Sequence, residues 1–374
     1  MRHRNRHYLR MIASTALLLG MASNGLAQDI QHYGPVKTYT KPLPDQKFFS
    51  PSITKKLPAG YRVAGPPMIM DGSVVIQRLT ERSYWVMLGS HSTTVFVGDK
   101  GVLLVDAPIV ASTDKLMGAI KQITDLPIHA LVYSHPHTDH NGGAKGLTVA
   151  LKAQGIDLRV ITSENGAEEI RRFRSLQEPT QVLPNGRATF QFEEWSFRYV
   201  TPVRWAHTGG DSYTISPDGV LTAVDFIYPG ALPFQSVSGV QNMTGYLEFV
   251  RHLAGETDWK VANLGHANVG YPEDAFRTLE YFEDVYTTWA KVVGPTTHDP
   301  YPGEQGVDNA AVSLRIFFDR SSVKLATAMK EKWGHVPQFE VVRDHAIEVH
   351  KDMYLNYAGW EGKLPSFEPI TPDK

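Results

Sequence analysis

The sequence predicts an α+β fold in which two β-sheets pack face to face with helices outside. Strand-like runs come in two sets, and each set is followed by helical spacing. Several runs end on a His or Asp beside glycine, as strand edges converging on one site would. With 42% hydrophobic and 20% charged residues, the 374-residue chain has ample material for such a core. A formal charge of −2 leaves no long basic patch, which argues against a nucleic-acid partner.

The first 27 residues read as a signal peptide rather than as fold. Arg2, Arg4, Arg6 and Arg10 make a basic start. Met11 to Met21 is a small, apolar run too short for a stable membrane anchor, and Gly25-Leu26-Ala27 offers a cleavage site. Cleavage removes four arginines and no acid, so the formal charge of −2 becomes −6. The expected location is periplasmic or secreted. Because the chain has no Cys, stability must come from the core and from any bound metal. Residues 28–67 carry seven prolines and little periodicity, and are expected to be an irregular arm.

Strands begin after Met68. Val74-Val75-Ile76, Ser83 to Leu88 and Thr93 to Val97 are rich in β-branched and aromatic residues. Gly98-Asp99-Lys100-Gly101 is a hairpin turn, and Val102 to Val105 is a buried strand ending on Asp106. Leu116, Ile120 and Ile123 give a helix that Ser112 or Thr113 can cap. Ala130 to Tyr133 is a strand, 147–154 a helix, 158–161 a strand and 164–174 a charged helix. Residues 188–192 and 195–200 form a hairpin around Glu193-Glu194. Val203 to His207 follows as a further strand end, then a hairpin of 212–216 and 220–225 around Pro217-Asp218-Gly219. Tyr246 to Ala254 is a helix, and Trp259 to Leu264 a short strand running to His266. Pro272 to Val293 is a long helix with Phe276, Leu279, Phe282, Val285, Tyr286 and Trp289 on one face. Residues 308–333 and 339–357 read as helices packed on the main domain.

Chemistry concentrates in Ser134-His135-Pro136-His137-Thr138-Asp139-His140-Asn141-Gly142-Gly143. A lone loop histidine usually does nothing. Three imidazoles and a carboxylate within six residues, after an apolar strand and before a glycine turn, aim donors at one point. Neutral imidazole and carboxylate suit zinc. His207, Asp225 and His266 lie at the same kind of place, past a run of strand character and next to glycine or a turn.

His135-Pro136-His137-Thr138-Asp139-His140 matches the H-x-H-x-D-H signature of the metallo-β-lactamase superfamily. The order Asp106, signature, His207, Asp225, His266 resembles that superfamily over about residues 70–270. The resemblance implies a four-layer αββα sandwich with two zinc ions at one edge. It places His135, His137 and His207 on the first zinc, and Asp139, His140 and His266 on the second. Asp225 would bridge the two, and Asp106 would support the loop without being a ligand. Asp139 would also act catalytically by orienting the nucleophile. The implied activity is hydrolysis of an ester, lactone or amide by a metal-bridging hydroxide, with a small-molecule substrate. Two alternatives are a β-lactamase with an all-His/Asp site and an alkyl-sulfatase-like hydrolase. Asp at position 225 departs from the Cys or Ser common in β-lactam-cleaving members, and alkyl sulfatases are longer. A third alternative is a non-catalytic binding member of the fold. On this reading residues 68–293 are the metallo-β-lactamase-like domain and 294–374 a mostly helical C-terminal extension.

Other residues carry weaker signals. Tyr228, Phe234 and Trp205 lie near ligands in sequence and read first as core or wall aromatics. His91 stands where a hairpin can bring it to the site, and His298 in a polar loop; for both, an ordinary loop histidine is the default. His345 and His350 are five apart on a helix and share no face. Oligomeric state and specificity have no readable code here.

Overall fold

The computed structural model describes residues 46–65, 73–109, 112–202, 204–294, 309–357 and 361–371. The expected signal-peptide segment, residues 1–27, and His298 lie outside these residues. In the expected irregular arm, β1 (Lys47–Phe49) and β2 (Tyr61–Val63) pair in parallel. Strands of three residues show no period in sequence. Tertiary partners hold them: Arg62 donates to Val269 O and pairs with Asp274 at 2.6 Å, while Val63 N–H donates to Asn268.

The first sheet has seven strands in sequential order. β3 (Val74–Arg78), β4 (Ser83–Leu88), β5 (His91–Val97) and β6 (Val102–Val105) are antiparallel neighbours. β7 (Ile128–Val132), β8 (Arg159–Ser163) and β9 (Gln181–Leu183) continue it in parallel. Parallel neighbours require crossovers, supplied by α1 (Thr113–Ile123), then α2 (Thr138–Asn141) and α3 (Ala144–Lys152), then α4 (Glu164–Phe173). Ser112 caps α1 by accepting from Lys115 N–H. Leu116, Ile120, Leu147 and Ile170 of these helices bury against Val86, Leu104 and Leu131 of the sheet.

The second sheet runs β10 (Arg187–Phe192), β11 (Trp195–Val200), β12 (Tyr213–Ile215), β13 (Val220–Thr222), all antiparallel, then β14 (Val261–Asn263) parallel to β13. Alternation in the β10–β11 hairpin turns Phe190, Phe192, Phe197 and Tyr199 inward. There they meet Phe96, Leu103, Val105, Ala130 and Val132 of the first sheet. On the outer face lie α5 (Met243–Gly255) and α6 (Pro272–Val292). The layers are therefore α, β, β, α, as expected.

The C-terminal helices α7 (Ala310–Trp333) and α8 (Val342–Leu355) join this outer layer. Leu325, Met329, Val342, Val349 and Met353 belong to the same hydrophobic cluster as Leu221, Ala262 and Phe282. One expectation is corrected here. Phe276 of α6 is 48% exposed, on the rim of an open cleft beside Glu280 and Lys332, while the other five residues of its predicted face are buried. His345 and His350 are both buried despite pointing to different faces, because α5, α6 and α7 enclose α8. Among the described residues no helix is long and apolar enough to cross a membrane.

Candidate metal centre

Strand direction brings the functional residues to one edge. β6 and β7 are parallel, so Asp106 and His135 leave the first sheet at the same end. β5 runs against β6, so its first residue, His91, stands at that end too. β13 and β14 are parallel, so Asp225 and His266 leave the second sheet together. Polar links hold the two edges in register: Ser92 N–H donates to Gly265 O, and Ser92 Oγ donates to Asn263 Oδ1 at 2.6 Å. His207 corrects the sequence reading. No strand leads to it: residues 204–208 form bends between β11 and β12, and Val203 is outside the described residues.

Both strand-end aspartates take left-handed backbone, Asp106 and Asp225 each at φ 71°. Non-glycine residues rarely adopt this region, and Asp tolerates it better than most. The turn reverses the chain at the strand end and leaves each carboxylate buried. Asp106 is fully enclosed. Its Oδ1 accepts from Ser134 N–H and the Asn141 amide, and its Oδ2 accepts from Ser134 Oγ at 2.6 Å. Burial raises its pKa to about 6 against those hydrogen bonds. Ser134 Oγ in turn lies 2.9 Å from His135 Nδ1, which fixes the ring with Nε2 toward the cleft. Asp106 thus supports the loop and touches no cleft nitrogen directly, as its expected role requires.

All seven predicted ligands converge. His135, His137, His207 and Asp225 form one group, with ligand atoms within 4.8 Å of one another; Asp139, His140 and His266 form a second, which His91 joins. Asp225 spans both, its Oδ2 lying 3.3 Å from His207 Nε2 and 3.3 Å from His140 Nε2. Nitrogens face nitrogens: His140 Nε2 is 3.1 Å from His266 Nε2, and His207 Nε2 is 3.0 Å from His137 Nδ1. Two neutral imidazole lone pairs repel at such distances unless a proton or a metal cation lies between them. His135 Nε2 and Asp225 Oδ1 are buried without a hydrogen-bond partner, although Oδ1 is 3.1 Å from His266 Nε2. Buried polar atoms normally have partners. Converging, unpartnered nitrogen and carboxylate donors fit zinc.

The electrostatics agree. Burial holds His135 well below the usual imidazole range and His137 down to about 4, so both present neutral nitrogen. Burial disfavours the His140 cation as well, but Asp225 and Asp139 beside it prevail and hold its pKa up at about 9. Burial alone would raise Asp225, yet His140 and His266 keep it well below the usual carboxylate range. The carboxylates therefore favour positive charge at His140, where burial alone would oppose it.

Among the weaker candidates, Tyr228 stacks on the His266 ring at 5.9 Å and Phe234 meets its edge at 4.8 Å, so both are walls of the site. Trp205 is exposed beside the His207 loop, and His345 and His350 stay in the helical layer. Sequence reasoning missed Asp211, which is buried and accepts from His207 N–H and Thr208 N–H. Its signal was an acid directly after the Gly209-Gly210 turn. Asn141, beside His140, was missed likewise.

The family whose model matches this chain is the metallo-beta-lactamase superfamily, over residues 86–237. That stretch is similar to the superfamily's domain, and it holds six of the seven predicted ligands. Similar solved structures include a double mutant of the sec-alkyl sulfatase PisA1, at 14% identity and TM-score 0.52, covering 78% of this chain and 52% of that one. The chain thus spans about half the length of that sulfatase, and the likeness is one of fold. DIM-1 metallo-beta-lactamase exposed to ceftazidime is 14% identical with TM-score 0.46, covering 55% of this chain and 94% of that one. A metallo-beta-lactamase from Pontibacter korlensis is 16% identical with TM-score 0.44, covering 56% and 99% respectively. No curated protein matches.

Proposed function

We propose that this chain is an exported, dinuclear zinc-dependent hydrolase that cleaves an ester, lactone or amide bond in a small molecule. The observation that carries the reading is the pair of adjacent His/Asp groups sharing Asp225 at one sheet edge. His135, His137 and His207 would hold one zinc, Asp139, His140 and His266 the other, and Asp225 both. Bound zinc would supply Lewis acidity toward the scissile carbonyl and acidify water toward neutral pH.

The chain's own residues supply orientation and exclusion of water. Asp139 is the ligand most open to the cleft, its side chain 47% exposed. Burial works against its charge, but the His91 hydrogen bond and His140 keep its carboxylate ionised below the ordinary range. It can therefore accept a hydrogen bond from an attacking water and aim it. Tyr228 and Phe234 cover the His266 side and keep that flank dry. The basic, small-residue start of the chain motivates export, and an exported hydrolase meets environmental lactones, esters or antibiotics.

The test is metal content of the mature protein together with turnover of a cephalosporin, an acyl-homoserine lactone, an aryl ester, an aryl sulfate and a phosphodiester. The expected result is about two zinc per chain and turnover of the ester or lactone, lost with chelator. Turnover of the cephalosporin or sulfate alone would replace the proposed substrate class. Absence of bound zinc, even after its addition, would end the metal reading.

A further inference from the structure

We propose that His91 is a direct ligand of the second zinc, giving that metal three imidazoles and the carboxylate of Asp139 beside the shared Asp225. The inference rests on the dinuclear reading above and adds to it a residue outside the H-x-H-x-D-H pattern and its partners. His91 opens β5 and is buried. Its Nε2 lies 3.3 Å from Asp139 Oδ2, while His140 Nε2 lies 3.5 Å from that oxygen and 3.1 Å from His266 Nε2. A zinc with four or five ligands at about 2.0–2.1 Å sets neighbouring ligand atoms, the edges of its shell, roughly 2.9–3.5 Å apart. Three measured separations match such edges, and all four ligand atoms lie within 4.8 Å of one another. The rings pack edge to face around the same point, His91 being 4.8 Å from His140 and 4.5 Å from His266 between centroids.

The far sides of the His91 and His266 rings are anchored as metal-ligating histidines require, while His140 Nδ1 is buried without a partner. Ligating imidazoles use their other nitrogen to hydrogen-bond a neighbouring oxygen, which frees the inner nitrogen's lone pair. Ser90 serves two rings at once: its Oγ is 2.9 Å from His91 Nδ1, and its carbonyl accepts from His266 Nδ1 at 2.7 Å. His91 and His266 come from different sheets, yet one residue orients both. The rival account is that His91 only donates a hydrogen bond to Asp139 and never reaches the metal.

The full chain, labelled with nitrogen-15 histidine and loaded with cadmium-113, separates these accounts. Ligation predicts one-bond cadmium–nitrogen coupling at His91 Nε2 as well as at His140 and His266. Coupling at His140 and His266 without His91 overturns the proposal and leaves the dinuclear reading standing. Coupling at no histidine overturns both. In parallel, zinc titration of His91→Gln, which keeps a hydrogen-bond donor for Asp139, is expected to weaken one of two zinc equivalents by more than about 100-fold. Outer hydrogen-bond partners cost about 10–100-fold, so a smaller loss would also overturn ligation.

Discussion

At the residue scale, the centre depends on side chains that are useless singly. His137 reaches His207 across 70 positions of sequence, and both face the same point. His137→Ala is expected to abolish both zinc retention and turnover. Elemental analysis after gel filtration checks it, and full activity would remove the metal assignment. Asp106 acts at one remove. Replacing it with Ala would strand Ser134 N–H and one of the two Asn141 amide hydrogens in the core, the other still donating to His135 O. Each buried group left unpaired costs about 1–3 kcal/mol. Asp106→Ala should therefore unfold at clearly lower denaturant concentration and bind zinc about 10–100-fold more weakly. An unchanged midpoint and zinc affinity would show that the loop does not need its anchor. Gly265 is held at φ 85°, and a Cβ there would come within 2.5 Å of Val224 Cγ1 and 3.2 Å of His140 Cε1. Gly265→Ala should cost zinc affinity even though the residue ligates nothing.

At the scale of elements, α8 shows how a helix far from the ligands in sequence supports their surroundings. His345 Nε2 hydrogen-bonds Phe234 O at 2.8 Å, and its Nδ1 lies 2.7 Å from Tyr281 Oη of α6. The helix thereby pins the segment whose Phe234 ring meets His266. That segment turns through left-handed backbone at Ser236, Val237 and Ser238, a conformation no local propensity favours. His350 accepts from Trp289 Nε1 at 2.9 Å, which requires an unprotonated Nδ1. Burial depresses His350 to about 4 from the ordinary 6.5. A depressed pKa stabilises the fold above the unfolded-state value, and that contribution is lost as pH falls from about 6.5 through 4. At pH 5 the loss from this residue is about 2 kcal/mol. Denaturation at pH 7.5 and pH 5 should show a larger fall for the natural chain than for His350→Gln. Equal falls would mean that His350 does not titrate this way.

At the scale of the whole molecule, the candidate metal centre draws on residues of both sheets. The residues that would hold it leave β5, β7, β13 and β14 and the loops beside them, so bound zinc would cross-link the sandwich along one edge. Ligand bound only by the folded state stabilises it by about 2.7 kcal/mol at a concentration 100 times Kd. Chelation is therefore expected to lower the melting temperature by several degrees. Zinc should restore it in a concentration-dependent way. A melting curve indifferent to chelator would show that the edge is closed without metal.

The residues that converge at the edge, and the layer order, were legible because their signals are local. H-x-H-x-D-H lies within six residues, strand alternation repeats every two residues, and each hairpin carries its own turn residues. The sequence by itself also marked Asp106, Asp225 and His266, since each follows an apolar run. Other features depended on partners distant in the chain. His91 looks like any hairpin histidine until β5 is paired against β6 and β14 is brought alongside it. Arg62 and the short β1–β2 pair take their order from Asp274 and Asn268, more than 200 positions away. The burial of His345 and His350 on different faces follows from enclosure, which periodicity cannot express. Local chemistry thus determined which residues serve the site. Sheet pairing and helix packing decided how many histidines reach it and what holds its walls.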